Sequence, residues 1–331
     1  MEFLSLGGIG EHGRNCFLLR GERHTLMLDC GKGEQGELPD FRDVDIGRID
    51  ALLFSHSHID HTGAIMELVR LGFHGQVFSS RDTYVMLDRK MENVTFFFPG
   101  RRTEILDGVF VLPAKSGHCF GGLSLEIQME GKTILYTGDY IEDSVFSVDP
   151  IRGRRDDLAI VDAAYSEERD YMENRTEFLS LLHRLQGNVL LPLPKNGRSM
   201  DVLSLLYENG IRYSVLGEGF YFGDEAYLRK KIIYHPEEDA RIHLMTDPQL
   251  NLPSSKEILE EEKDSNLVFT GTIDEKSYAF DLMEHRKKTY FSRINVHQTY
   301  RQARRLIQEN DFRNIVLFHN PKLPGKKRLQ F

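Results

Sequence analysis

The sequence predicts an α/β protein in which a small strand–helix layer interrupts a strand-rich first part. Two observations carry this. Short apolar runs separated by turn residues dominate up to about Asp162. Beyond it strands alternate with amphipathic helices, until a strand, a helix and a strand close the chain.

In the first part, Leu26-Met27-Leu28 and Ala51-Leu52-Leu53-Phe54 read as strands, and a helix from Ala64 to Leu71 follows the second. Leu123 to Ile127 alternates apolar with polar residues. Thr133 to Tyr136 is the return strand of a hairpin turning at Glu130-Gly131. Asn174-Arg175-Thr176-Glu177 has the form of a capping box for a helix to Leu185, with Phe178, Leu181, Leu182 and Leu185 on one face. Asn188 to Leu193 is a buried type of strand. It leads through Gly197-Arg198 into a helix from Met200 to Glu208 and a strand from Arg212 to Leu216, an alternation that suits a parallel sheet. The closing elements are strand Tyr290 to Ile294, helix Thr299 to Glu309 and strand Ile315 to Phe318, and the charged run Glu260 to Lys263 is a solvated helix face.

A length of 331 residues is enough for about two domains. No apolar run approaches a membrane span, and no basic segment followed by an apolar one opens the chain, so no membrane partner is expected. Cys16, Cys30 and Cys119 are odd in number and lack metal-binding spacing. They read as reduced thiols of a cytoplasmic protein, with Cys119 beside His118. The net charge of −9 excludes a broadly basic nucleic-acid coat and leaves room for a local basic cleft.

Chemistry concentrates in Ser55-His56-Ser57-His58-Ile59-Asp60-His61-Thr62-Gly63, directly after an apolar strand. Imidazole and carboxylate are zinc ligands, and a strand-to-loop junction can aim His56 and His58 at one ion and Asp60 and His61 at another. Two ions imply hydrolysis. One loop cannot close such a site, so further donors are sought at strand ends: His118 before Leu123, Asp139 after Thr133-Ile134-Leu135-Tyr136-Thr137-Gly138, and His319 after Ile315-Val316-Leu317-Phe318. Each alone is equally a hydrogen-bonded turn residue.

In this order the motifs resemble the metallo-β-lactamase superfamily: an early Asp, HxHxDH, then His, Asp and His. The resemblance implies an αββα sandwich with one metal on His56, His58 and His118, the other on Asp60, His61 and His319, Asp139 bridging them, and Asp29 behind the ligands. Two zinc ions are expected, with manganese or another divalent metal as substitutes.

Further matches narrow the resemblance to the β-CASP branch, the RNase J and cleavage-factor type of nuclease. They are Leu6-Gly7-Gly8-Ile9-Gly10-Glu11-His12-Gly13-Arg14-Asn15, Leu158 to Tyr165, Pro194 to Leu203, Phe269-Thr270-Gly271-Thr272 and Phe291 to His297. The first of these is also simply a tight glycine loop edging the site. The implied layout is a metallo-β-lactamase domain over 1–166, a β-CASP-like α/β insertion over 167–290, and a return over 291–331, with a short insertion and no C-terminal domain. Departures from the branch affect substrate handling: Asn295-Val296 replaces Ser-Gly, Gln298-Thr299 follows His297 where an acid is usual, and Asn320-Pro321 follows His319 in place of Gly-Glu.

The expected activity is phosphodiester hydrolysis in single-stranded RNA, ahead of single-stranded DNA, threaded in a cleft between the sandwich and the insertion. Asp60 orients the attacking water, and His297 donates a proton to the departing oxygen, positioned by Asp162. Arg198 and Thr272 contact phosphates. Other readings stand beside these: Asp162 and His297 pin two strands, Arg198 forms a surface salt bridge, and the Lys322 to Arg328 tail is a solvated terminus. The alternative function is a small-molecule hydrolase acting on a cyclic nucleotide, ester or lactone. A regulatory protein with a degenerate site ranks last because no ligand is missing. A homo-oligomer is compatible with all three.

Overall fold

The computed structural model describes residues 1–33, 35–87, 90–165, 171–223 and 236–331. The chain divides into two compact units, Met1–Glu168 with His297–Phe331, and Arg169–Val296.

Among the described residues the first unit is built on two large sheets, with a two-stranded pair, Arg155–Asp156 and Asp311–Phe312, beside them. One has seven strands in the order Arg328–Gln330, Glu2–Gly7, Cys16–Arg20, Thr25–Leu28, Ala51–Leu53, Gln76–Ser79 and Val94–Phe96. The other has six, in the order Ile315–Phe318, Leu158–Asp162, Lys132–Tyr136, Leu123–Met129, Val109–Lys115 and Thr103–Leu106. Period-two side-chain direction explains how they pack. Phe17, Leu26, Leu28 and Leu53 of the first sheet share one core with Leu125, Ile127, Tyr136, Ile160 and Phe318 of the second. The opposite faces are covered by helices. Leu18, Met27 and Leu52 pack with Ile65 and Leu68 of helix Ile65–Arg70, and Leu135, Ala159 and Val161 pack with Leu306 of helix Tyr300–Gln308. The result is an αββα sandwich. Leu158–Asp162 is buried at every position because it is central and covered on both faces, as its unbroken apolar run requires.

Strand direction brings the chemistry to one edge. Lys132–Tyr136, Leu158–Asp162 and Ile315–Phe318 run parallel, so Asp139, Asp162 and His319 emerge at the same ends. Leu123–Met129 is antiparallel to the first of these, which puts its beginning, and His118 before it, at that edge too. In the other sheet Thr25–Leu28 and Ala51–Leu53 are parallel, so Asp29 and Ser55-His56 leave together.

The second unit holds a five-stranded sheet in the order Tyr213–Leu216, Ile242–Met245, Val189–Pro192, Asn266–Phe269 and Thr289–Phe291, with every pairing parallel. Parallel neighbours need crossovers, and helices Arg198–Glu208, Pro253–Glu261 and Tyr278–His285 supply connections. Two local expectations are corrected. The helix expected to be capped at Asn174 already runs from Tyr171 to Arg184, and Asn174 is buried inside it with its Nδ2 donating to Asn295 Oδ1. A polar side chain that finds a partner within its unit has no need to cap. The strand expected over Tyr290 to Ile294 is Thr289–Phe291, paired with Asn266–Phe269. Among the described residues no helix is long and apolar enough to cross a membrane.

Candidate metal centre

The metal-loop strand ends at Leu53, and a one-turn helix, Ile59–Thr62, carries Asp60 and His61 back across its end. Gly31 allows this approach: a Cβ there would lie 1.7 Å from the carbonyl oxygen of Asp60. Two residues at the edge adopt left-handed backbone, Asp29 at φ +56° and His319 at φ +68°. That conformation is uncommon outside glycine and is held by the surrounding contacts. His319 N, for instance, donates to Gly8 O at 2.7 Å.

Three overlapping groups of donors result, each with its ligand atoms within 4.8 Å of one another: His56, His58, His118 and Asp139; Asp60, His61, Asp139 and His319; and Asp139, Asp162, His297 and His319. In the first, His58 Nδ1 lies 3.1 Å from His56 Nε2 and 3.0 Å from His118 Nε2. Asp139 Oδ2 is 3.5 Å and 3.4 Å from those same Nε2 atoms. Its Oδ1 faces the second group, 3.1 Å from His61 Nε2 and 3.3 Å from His319 Nδ1. Asp139 thus turns one oxygen to each group. Asp60 Oδ2 completes the second, 3.2 Å from His319 Nε2.

These residues fit divalent metal ions. Asp139 Oδ1 and His319 Nδ1 are buried without a hydrogen-bond partner among the described residues. Imidazole nitrogens otherwise point at one another or at carboxylates around shared points, a set suited to a transition-metal cation. The electrostatics follow from burial and crowding. Burial pushes His56 well below the usual imidazole value, helped by His61. Burial alone would also lower His61 and His319, but Asp139 and Asp60 outweigh it and hold both well above that value. Burial would raise Asp139 and Asp60, yet the surrounding imidazoles, His61 first, keep both carboxyls well below the ordinary range.

A buried set of contacts fixes the ligands from behind. Asp29 Oδ2 accepts from His61 Nδ1 at 2.7 Å, from Ser55 Oγ at 2.6 Å and from Tyr136 Oη, while Asp29 Oδ1 accepts from Ser55 N at 2.7 Å. On the donor side, by contrast, Asn15 Nδ2 lies 2.8 Å from His61 Nε2 and 3.4 Å from Asp60 Oδ2. Tyr136, Ser55 and Asn15 were not picked out by sequence reasoning. All three lie inside the motifs that mark the site in the sequence, but nothing in a strand's last residue, a loop serine or a loop asparagine signals such a partner. His12 is a further addition. Its ring is edge-on to His319 with centroids 5.8 Å apart, and burial with the neighbouring His319 lowers it to about 4.

His297 and Asp162, expected to act together, do meet. His297 Nδ1 is 3.0 Å from Asp162 Oδ2 and 3.7 Å from Asp139 Oδ2. Asp162 is fully buried and also accepts from Tyr140 N and Ala164 N. Tyr165 stands edge-on to His297 at 5.1 Å. Arg198 and Thr272 lie in the second unit. Arg198 opens helix Arg198–Glu208 with its guanidinium over Gly271, where a Cβ would come within 1.7 Å of Nη1, and the next residue, Thr272, is exposed.

The Metallo-beta-lactamase superfamily matches residues 9–164. Residues 9–164 therefore form a metallo-β-lactamase domain, and the relatives the chain is similar to are named endoribonuclease or ribonuclease. Endoribonuclease ysh1 of Schizosaccharomyces pombe is 28% identical over 277 residues, covering 73% of this chain and 35% of that protein. Endoribonuclease YSH1 of Kluyveromyces lactis is 29% identical over 251 residues, 63% of this chain and 33% of that protein. Ribonuclease TTHA0252 of Thermus thermophilus is 26% identical over 302 residues, 81% of this chain and 70% of that protein. The chain spans about a third of the length of the Ysh1 relatives.

Proposed function

We propose that the chain is a metal-dependent phosphodiester hydrolase that cuts single-stranded RNA, with zinc as its metal. The observation that carries this is the 3.0 Å contact of His297 Nδ1 with Asp162 Oδ2 beside Asp139. A departing sugar oxygen leaves as an alkoxide and needs a proton, whereas a thiolate leaving a thioester does not. Similarity to proteins named endoribonuclease supports the same reaction.

In this reading His56, His58 and His118 would hold one ion and Asp60, His61 and His319 the other, with Asp139 turning an oxygen to each group. Ions held there would supply a lowered pKa for water and offset phosphoryl charge. Asp29 ties up His61 Nδ1, so Nε2 faces the donors. Asp60 orients the attacking water. Because His297 turns Nδ1 to Asp162, its Nε2 is the atom that delivers a proton to the leaving oxygen. Arg198 grips a backbone phosphate with its planar guanidinium and Thr272 adds a hydroxyl. Residues 1–166 and 291–331 form the catalytic domain, and 167–290 the β-CASP-like module that handles the strand. A cytoplasmic, reducing setting suits the buried thiols of Cys16, Cys30 and Cys119.

The test offers metal-loaded protein and its Asp60→Ala variant labelled single-stranded RNA, single-stranded DNA, cyclic nucleotides and a lactone and thioester panel. Metal-dependent RNA cleavage that disappears in the variant supports the proposal. Turnover of a small substrate alone, with no polymer bound or cut at low salt, overturns it in favour of a small-molecule hydrolase.

A further inference from the structure

We propose that the exposed face of helix Tyr300–Gln308 is a docking track for the RNA strand, an inference that rests on the ribonuclease reading above. The helix belongs to the unit that carries the metal centre and begins three residues after His297. Its start is fixed beside that histidine. Thr299 caps it with a complete capping box and bridges to Tyr165, whose ring stands against His297.

Ala303 and Leu306 hold the helix to the sheet, which leaves Tyr300, Arg301, Arg304 and Arg305 facing solvent. Arg305 has an acid, with Nε 2.7 Å from Glu309 Oε1. Among the described residues Arg301 and Arg304 make no ion pair. Of the other exposed arginines of this unit, Arg23, Arg42, Arg48, Arg70, Arg155 and Arg313 each have a carboxylate oxygen between 2.5 and 3.7 Å away, while Arg101 and Arg102 make no ion pair among the described residues but lie on no shared helix face. Like charges three and four residues apart on a helix repel. A chain with a net charge of −9 has carboxylates enough to relieve that repulsion, and among the described residues none is placed beside Arg301 or Arg304. An anionic partner relieves it instead. The Arg304 guanidinium lies 6.0 Å from the centre of the Tyr300 ring, and that ring is 37% exposed. An aromatic face flanked by guanidinium groups stacks a base and neutralises the adjoining phosphates, which is how single strands are held without sequence preference. A protein partner would call for an apolar centre, and this face offers a single ring among charges.

The experiment measures binding of metal-loaded protein to a phosphorothioate uridine oligonucleotide by fluorescence anisotropy across a salt series. R301E/R304E should bind more weakly, and its slope of log affinity against log salt should be shallower by about 1.4, the share of two phosphates at about 0.7 each. Y300A should lose on the order of tenfold in affinity with an unchanged slope. R301K/R304K should keep the wild-type slope, and R48E/R101E controls for the charge change elsewhere. Metal content and melting temperature confirm that each variant is folded. Wild-type binding that R301E/R304E leaves intact, or that R48E/R101E weakens equally, overturns the assignment and leaves the face to another partner. A wild-type protein that binds no RNA at all overturns the ribonuclease reading as well.

Discussion

His61 Nδ1 lies 2.7 Å from Asp29 Oδ2, both groups wholly buried, and this contact decides which nitrogen of the ring faces the metal donors. Asp29 also takes Ser55 and the Tyr136 hydroxyl, so its carboxylate has no rotational freedom left. Tyr136→Phe removes one restraint without changing any ligand. Metal affinity should fall by about 10- to 100-fold, the usual effect of losing an outer contact to a ligating histidine. Competitive chelator titration reads this directly. An unchanged affinity would show that Ser55 and the backbone hold Asp29 alone.

The charge pattern around Asp139 predicts how the metal-free protein responds to pH. His61 and His319 are raised above the unfolded imidazole value of about 6.5, so the folded state holds extra protons above it. Their contribution is complete below that pH and lost as pH rises through the folded values. His56 and His12 are lowered, the latter to about 4, so they act in the opposite sense and weaken the fold as pH falls below about 6.5. Chemical denaturation of metal-free protein should therefore give greatest stability near pH 6.5. Metal binding needs neutral imidazoles and releases their protons, so loading should move the optimum upward. Metal-free stability still climbing between pH 7 and 8 would contradict the raised values of His61 and His319.

Much of the site was legible because its ligands sit where sequence pattern is strongest. Asp139 and His319 follow apolar strands, and strand ends of one direction converge without further information. What could not be read was partnership across the chain. Tyr136 reaches Asp29 over 107 residues, and Asn15 reaches His61 over 46, through contacts that no local periodicity encodes. The false cap at Asn174 has the same origin. Its motif satisfied a local rule, while the amide found its partner at Asn295, 121 residues away. Strand Ile242–Met245 went unread because a buried strand this short lacks the alternation that announces one.

Gly271 offers a test of Arg198 that leaves Arg198 in place. An alanine Cβ would come within 1.7 Å of Nη1 and 2.0 Å of Cζ, so the guanidinium must leave its position. The displaced atoms are the end of a flexible side chain, so the fold should survive. Gly271→Ala should raise the KM for RNA about as far as Arg198→Ala does, with metal content unchanged. A normal KM in Gly271→Ala beside an impaired Arg198→Ala would show that the resting position of the guanidinium is not the one that meets phosphate.

His297 can be tested so that a proton donor is separated from a strand pin. Its Nδ1 is engaged by Asp162, and its ring touches neither metal group more closely than 3.7 Å in its ion-pair contacts. His297→Ala should therefore keep two bound ions and lower RNA turnover by about 10²–10⁴-fold, the typical worth of a positioned acid. A pin would lower stability instead. The sharper readout is the leaving group: a nitrophenyl phosphodiester departs as a stable phenolate and needs no proton, so its hydrolysis should be nearly unaffected. Asp162→Asn keeps the shape of the pair and removes its charge, and should reproduce the same selective loss for RNA. Equal losses on both substrates would remove His297 from proton transfer and return it, with Asp162, to holding two strands together.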